Sequence, residues 1–257
     1  MHRPEEEHKI GAAMAAQWRF ISYLNFEVEA SVMEPLVPAG LELDLIKSKC
    51  LVSVVGRMVM KPRLGGLALR LPYHQDFEDI SIQIYVKRRM GRRVRRGTLV
   101  VKGLKPRRFP PLPRRFFMAE DLRGVRCDHS IDRMSDEPKL TFGGRIEYNW
   151  QFARKRNHFS LLTEGEPGAI PTSGEVAFLV DRGYGYTQGK DQDVLEFEVQ
   201  RQPWQLIKVK EYSFHCDGGE LFGDSFGFLG RQPHSVFVCD GSDVVVKKPI
   251  PIFSKAD

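Results

Sequence analysis

Asp76–Lys87, DFEDISIQIYVK, is the stretch on which the fold turns. Its even positions Ile80, Ile82, Ile84 and Val86 are apolar and β-branched, while Asp79, Ser81, Gln83 and Tyr85 at the odd positions are polar or amphipathic. Side chains alternate faces along a strand, so the stretch reads as a β-strand with one apolar and one polar face. The polar face either looks at water, as one face of an antiparallel sheet commonly does, or lines the inside of a barrel. Inside a barrel, a carboxylate, a hydroxyl, an amide and a phenol would form a ligand-reading surface. The pattern leaves both readings open.

Working outward, the same alternation recurs. Gln17–Ala30 places Trp18, Phe20, Leu24, Phe26 and Val28 on one face, and Cys50–Met60 is a Val-rich strand. Ser235–Cys239 and Asp243–Lys247 flank Asp240-Gly241, a short-range hairpin signal. Thr172-x-x-Glu175 has the spacing of a capping box and predicts a helix running through Phe178 and Arg182 to Gly183. The whole chain predicts about a dozen strands and two or three short helices without βαβ alternation. The expected class is therefore α+β, mainly β, an antiparallel barrel or sheet. No linker divides the chain, so one domain over 18–257 is expected, preceded by a flexible tail over 1–17.

A hydrophobic fraction of 42% and a charged fraction of 28% are those of a soluble globular protein. No apolar run is long enough to span a bilayer, and the acidic triplet Glu5–Glu7 sits where a signal peptide would be positive. The four cysteines lie far apart without CxxC spacing, which predicts reduced thiols in a cytoplasmic protein. Cys127-x-His129 and His215-Cys216 lack the paired spacing of a zinc site, so no metal is expected. There is no GxGxxG after a strand, no phosphate loop, no GxSxG and no HExxH, so no cofactor is expected either.

The net charge of +6 is unevenly spread. Between Asp79 and Glu120 there is no acidic residue, while Lys87–Arg115 holds thirteen basic ones. Gly91 lies between two β-patterned runs, predicting a hairpin whose basic tip carries Arg92, Arg93, Arg95 and Arg96. Such a field over 87–115 can bind a nucleic acid or another acidic partner, a polyanion, with Phe109, Phe116 and Phe117 available for stacking, or can be a solvated face. Arg107-x-x-Pro110-x-x-Pro113 with Arg115 formally matches a proline-rich ligand; a structural loop is the plainer reading.

A series of spans resembles the YqjF-like domain of unknown function, a family placed in the acetoacetate decarboxylase-like superfamily. The series begins at Trp18 and Val37-Pro38-Ala-Gly40-Leu-Glu-Leu-Asp44 and continues through Phe77–Val86. It then takes in Thr163-Glu-Gly-Glu-Pro167, Phe178-Leu-Val-Asp181-Arg182-Gly-Tyr-Gly-Tyr186-Thr187, and Val199–Gln202 before Pro203-Trp204. Family members usually carry arginine where this chain has Gln83, and often histidine where it has Arg201.

The resemblance implies an acetoacetate decarboxylase-like barrel enclosing a polar pocket for a small organic ligand, a carboxylate or a keto compound. Asp79, Gln83 and Tyr85 would line it, with Arg182, Tyr186, Arg201 and Trp204 near the rim. Arg182 can equally be a helix-end cation, and Trp204 ordinary packing after Pro203. A buried Asp79 would need a cation, for which Arg182 and Arg201 are the candidates. Any catalysis would be lyase- or hydrolase-like. The decarboxylase branch uses a Schiff-base lysine with a lowered pKa; here Lys102, Lys105, Lys247 and Lys248 all read as solvated surface residues, so none is assigned.

Overall fold

The computed structural model describes residues 12–68, 76–107, 119–132, 140, 143–188 and 194–252. In chain order the strands are β1 (Ala12–Val28), β2 (Glu42–Leu43), β3 (Cys50–Leu64), β4 (Leu67–Ala68), β5 (Phe77–Met90), β6 (Arg93–Pro106) and β7 (Ala119–Ile131). They continue as β8 (Arg145–Phe152), β9 (Lys155–Ala169), β10 (Tyr184–Gln188), β11 (Val194–Arg201), β12 (Gln205–His215), β13 (Ser235–Lys247) and β14 (Ile250–Ile252). Short helices at Ala30–Met33, Glu175–Val180 and Gly218–Phe222 complete the mainly-β, α+β architecture. Since β1 starts at Ala12, the strand takes in residues expected in the tail.

Two closed rings of strand pairings share one wall. The wall runs β13-β1-β3-β5-β6. From β6 to β13 the larger ring goes round through β7, β8, β9 and β12, the smaller one through β10 and β11. Each edge strand of the wall divides its outer hydrogen bonds between the two rings. In β6, Gly97, Thr98 and Leu99 pair with β10, and the residues from Val100 on pair with β7. In β13, Val238 and Cys239 pair with β12, whereas Val244, Val245 and Val246 pair with β11.

Asp240-Gly241 lies between those two segments and marks the fork. The hairpin expected there is absent because β13 continues straight through it. Gly241 has φ +91°, and a Cβ on it would lie 2.0 Å from the carbonyl oxygen of Trp18. Phe20, at φ +55°, is a bulge in β1, whose register with β3 shifts between Arg19 and Ser22. The bulge shifts the alternation by one residue. Trp18 and Leu24, expected on one face, therefore point into different cores.

Because the wall is shared, both of its faces are buried. Ile80, Ile82, Ile84 and Val86 enter the larger core with Leu24, Val54, Tyr148 and Phe159. Phe77 and Tyr85 enter the smaller core with Trp18, Tyr23, Phe197 and Trp204. The Glu175–Val180 helix adds Leu179 and Val180 to that smaller core. It starts at Gly174 without a side-chain cap, so the expected capping box does not form. The Glu175 carboxylate is taken instead by the Ser235 hydroxyl and by His234 Nε2 at 3.1 Å.

Candidate functional site

The polar face of β5 is turned into the smaller ring, and Asp79, Ser81, Gln83 and Tyr85 are all buried there. An unpaired buried polar group costs about 1–3 kcal/mol, and each of the four has a partner. Tyr85 shares a 2.6 Å hydrogen bond with Ser53 Oγ, which donates to Asn25 Oδ1 at 2.6 Å. Asn25 Nδ2 in turn donates to Ser235 Oγ at 3.0 Å, joining the network to Glu175 at the helix start. Gln83 Nε2 donates to Ser81 Oγ at 3.0 Å.

Asp79 is held by cations other than the two expected for it. Register sets Arg57 of β3 opposite Asp79, and pairs Ile80 with Leu104 so that Lys105 of β6 is the next neighbour. Arg57 donates from Nε to Asp79 Oδ2 at 2.7 Å, and Lys105 Nζ donates to Oδ1. The Arg57 guanidinium also lies 3.8 Å from the Trp18 ring centroid. Arg182 and Arg201 are therefore not the partners of Asp79. Arg182 Nη1 donates to Asp44 Oδ2 at 2.6 Å and Nε to the Phe178 carbonyl at 2.7 Å, closing the last helical turn. Arg201 Nη2 donates to the Val180 carbonyl at 2.7 Å.

The reading of Lys105 as a surface residue also fails, since it is 7% exposed. Burial raises the Asp79 carboxyl, but Arg57 and Lys105 outweigh it and bring the group down to about 2. Two cations then share one carboxylate, and only the lysine of the pair can shed a proton. Burial accordingly lowers the Lys105 ammonium, against the pull of Asp79. Lys102 is half-buried, Lys247 half-buried and Lys248 exposed.

Beside this cluster lies a cavity of about 40 Å³. Arg57, Arg182, Arg201, Trp18, Gln83 and Trp204 all line it, and among the described residues no Asp or Glu does. Arg182 Nη2 and Trp18 Nε1 are buried donors without a partner among the described residues. Val180, Arg182, Val199, Arg201 and Trp204 also line an outer cleft of about 860 Å³, so these five, here called the neck, border both spaces. The Arg201 guanidinium lies 3.8 Å from the Trp204 ring centroid at that neck. Trp204 Nε1 is satisfied by Ser242 Oγ at 3.0 Å.

Of the residues expected at the pocket, Gln83, Arg182, Arg201 and Trp204 line the cavity. Asp79 acts behind it through Arg57, and Tyr85 packs beneath Arg182, whose guanidinium lies 5.1 Å from its ring centroid. Tyr186 belongs elsewhere. It is buried in the larger core and donates to Glu196 Oε2 at 3.1 Å, while Tyr184 is the one that reaches the cavity.

The basic hairpin forms as expected, Met90 pairing with Arg93 across the turn. Acidic residues distant in sequence meet its charges. Arg88 and Arg95 pair with Glu196, Lys87 and Arg89 with Glu42, and Arg96 with Asp44. Arg92 and Arg93 are exposed at the tip. Phe109, Phe116, Phe117 and the proline-rich stretch after Arg107 lie outside the described residues. Among the described residues no three His, Cys, Asp or Glu side chains are grouped to hold a metal, and no helix is long and apolar enough to cross a membrane.

Residues 15–243 match the family DUF2071, an uncharacterized conserved protein. No curated protein matches the chain. Among solved structures, the enduracididine biosynthesis enzyme MppR complexed with pyruvate is similar at a TM-score of 0.58 and 12% identity, covering 93% of this chain and 90% of that one. An acetoacetate decarboxylase-like enzyme from Sphingomonas wittichii RW1 gives 0.59 and 11%, covering 95% and 94%. Acetoacetate decarboxylase from Legionella pneumophila gives 0.57 and 7%, covering 96% and 90%. At these identities the likeness is one of fold. The chain belongs to the DUF2071 family and has the acetoacetate decarboxylase-like fold.

Proposed function

We propose that the smaller ring is a binding site for small organic carboxylates. The observation that carries this reading is that three arginines line the inner cavity, while none of the described residues lining it is a carboxylate. Planar guanidinium groups match a carboxylate's two oxygens. The unpartnered N–H groups of Arg182 and Trp18 are donors awaiting an acceptor. That one fold neighbour is described as complexed with pyruvate agrees with this choice of ligand class. The test is isothermal titration with pyruvate and phenylacetate, each against its primary amide. The acids are expected to bind, the amides to bind at least about tenfold more weakly, and Arg182→Gln to remove the difference. Equal binding of acid and amide would overturn the reading.

A second reading, processing rather than binding alone, rests on Lys105. Its burial lowers its pKa, which is the direction in which a Schiff-base amine is shifted. Loss of water from the resulting carbinolamine would give a Schiff base. Borohydride treatment in the presence of pyruvate or acetoacetate, followed by peptide mass spectrometry, decides between the readings. An adduct on Lys105 supports processing; an unmodified lysine leaves binding as the function.

A further inference from the structure

We infer that the ligand is an extended organic acid: a carboxylate head in the inner cavity and a larger, mainly apolar body in the outer cleft. This rests on the carboxylate reading above and adds the part of the molecule which that reading leaves open. The inference comes from the two volumes and what separates them.

The inner cavity, at about 40 Å³, has room for roughly three water molecules by the space one water needs. A carboxylate group fills such a space; the carbon skeleton attached to it must lie elsewhere. The outer cleft, at about 860 Å³, is within the range of sites that enclose a whole small molecule. Its wall has an apolar side made by Ala169, Ile170, Pro171, Ala177 and Pro203, and a polar side with Thr172, Asp181, Gln205 and Asp240. The shared neck residues Val180, Val199 and Trp204 continue that apolar surface down to Arg182 and Arg201. An acid threaded through the neck would thus keep its charge against the guanidinium groups and its hydrocarbon against the cleft.

The neck also favours a flat group next to the carboxylate. Arg201 is stacked on Trp204 and fixed by its bond to the Val180 carbonyl, so the two form one rigid flat surface. Aromatic rings and guanidinium planes both stack on such a surface. An arylalkanoic acid or aryl keto acid satisfies all three features. A ligand of two or three carbons would leave the cleft to water.

Calorimetric titration with acetate, pyruvate, phenylacetate, phenylpyruvate and 4-phenylbutyrate tests this directly. Affinity is expected to rise by roughly tenfold or more from acetate to phenylacetate, and again from pyruvate to phenylpyruvate, because the ring leaves water. Ala177→Phe, which fills the cleft from the covering helix, is expected to erase that gain and leave acetate and pyruvate unchanged. Acids that all bind equally, or an aryl preference that survives Ala177→Phe, would overturn the extended ligand and leave the carboxylate site standing. Failure of every acid to bind better than its amide would instead overturn the carboxylate reading itself. A thermal melt of Ala177→Phe matching that of the parent protein establishes that the loss is one of binding.

Discussion

The two faces of the shared wall meet the same requirement, exclusion of water, by different chemistry. On the larger side, β5 contributes Ile80, Ile82, Ile84 and Val86 to an apolar core. On the smaller side the same strand contributes Asp79, Ser81, Gln83 and Tyr85 to a network of buried hydrogen bonds beside a cavity. Among the described residues orphaned donors occur in both rings, since the Tyr148 hydroxyl of the larger core has no partner there either. Charge separates the two. Two buried arginines, Arg57 and Arg182, and the half-buried Arg201 around one space cost free energy that apolar packing would not, which supports the proposed ligand site. The wall can hold this arrangement because its other face supplies ordinary core packing.

Removing one charge should break this contrast most visibly. Asp79→Ala leaves Arg57 and Lys105 buried without their carboxylate, and about 3–5 kcal/mol of stability should go. Ile84→Ala, one strand face away, should cost about 3 kcal/mol through the cavity it opens. Urea unfolding of the two variants compares the sides directly. If Asp79→Ala costs no more than a surface substitution, the cations are solvated and the two faces do not differ as described.

Acid should sharpen the same comparison with a smaller effect. The Asp79 carboxyl sits at about 2 in the folded protein against an ordinary value of 3.8. A depressed folded value adds stability that is complete above about pH 4 and lost as pH falls from there toward 2. For this group the loss is about 2 kcal/mol. Urea midpoints for the parent and for Asp79→Asn should converge across that window, while Ile84→Ala should stay a constant distance below the parent. Parallel curves for Asp79→Asn and parent would show that Asp79 carries no such linkage.

How much of this was legible depends on whether an element answers to local or distant residues. The β5 alternation, the hairpin at Gly91 and the mainly-β class follow from local pattern, and each is present. The shared wall is not local. A strand buried on both faces normally reads as an unbroken apolar run, and β5 does not because its second face is a polar interior. Asp240-Gly241 had the composition of a turn, yet β1 and the two partners of β13 hold it in one continuous strand. At the site, Arg182, Arg201, Trp204 and Gln83 carried a family-like context that pointed to them. Arg57 lay inside a Val-rich strand, and Lys105 among arginines, so neither showed its burial. Only the register across β3, β5 and β6 reveals that they flank Asp79.

The hairpin tip gives the smallest expected effect and the sharpest contrast with the buried arginines. Arg92 and Arg93 are exposed and make no ion pair among the described residues, so Arg92→Ser with Arg93→Ser should change stability by no more than about 0.5 kcal/mol. Arg95 differs, because the Glu196 side chain it meets is only 2% exposed. Glu196 keeps Arg88 and the Tyr186 hydroxyl when Arg95 is removed, so Arg95→Ser should cost about 1 kcal/mol rather than the full penalty of a lone buried charge. The polyanion expectation has its own measurement, the salt needed to elute each protein from heparin, since phosphate- and sulfate-type contacts weaken steeply with salt. With Glu42, Asp44 and Glu196 already neutralising much of the hairpin, the double tip variant should elute only slightly earlier than the parent. Complete loss of retention in that variant, at unchanged stability, would make the tip a polyanion site in its own right.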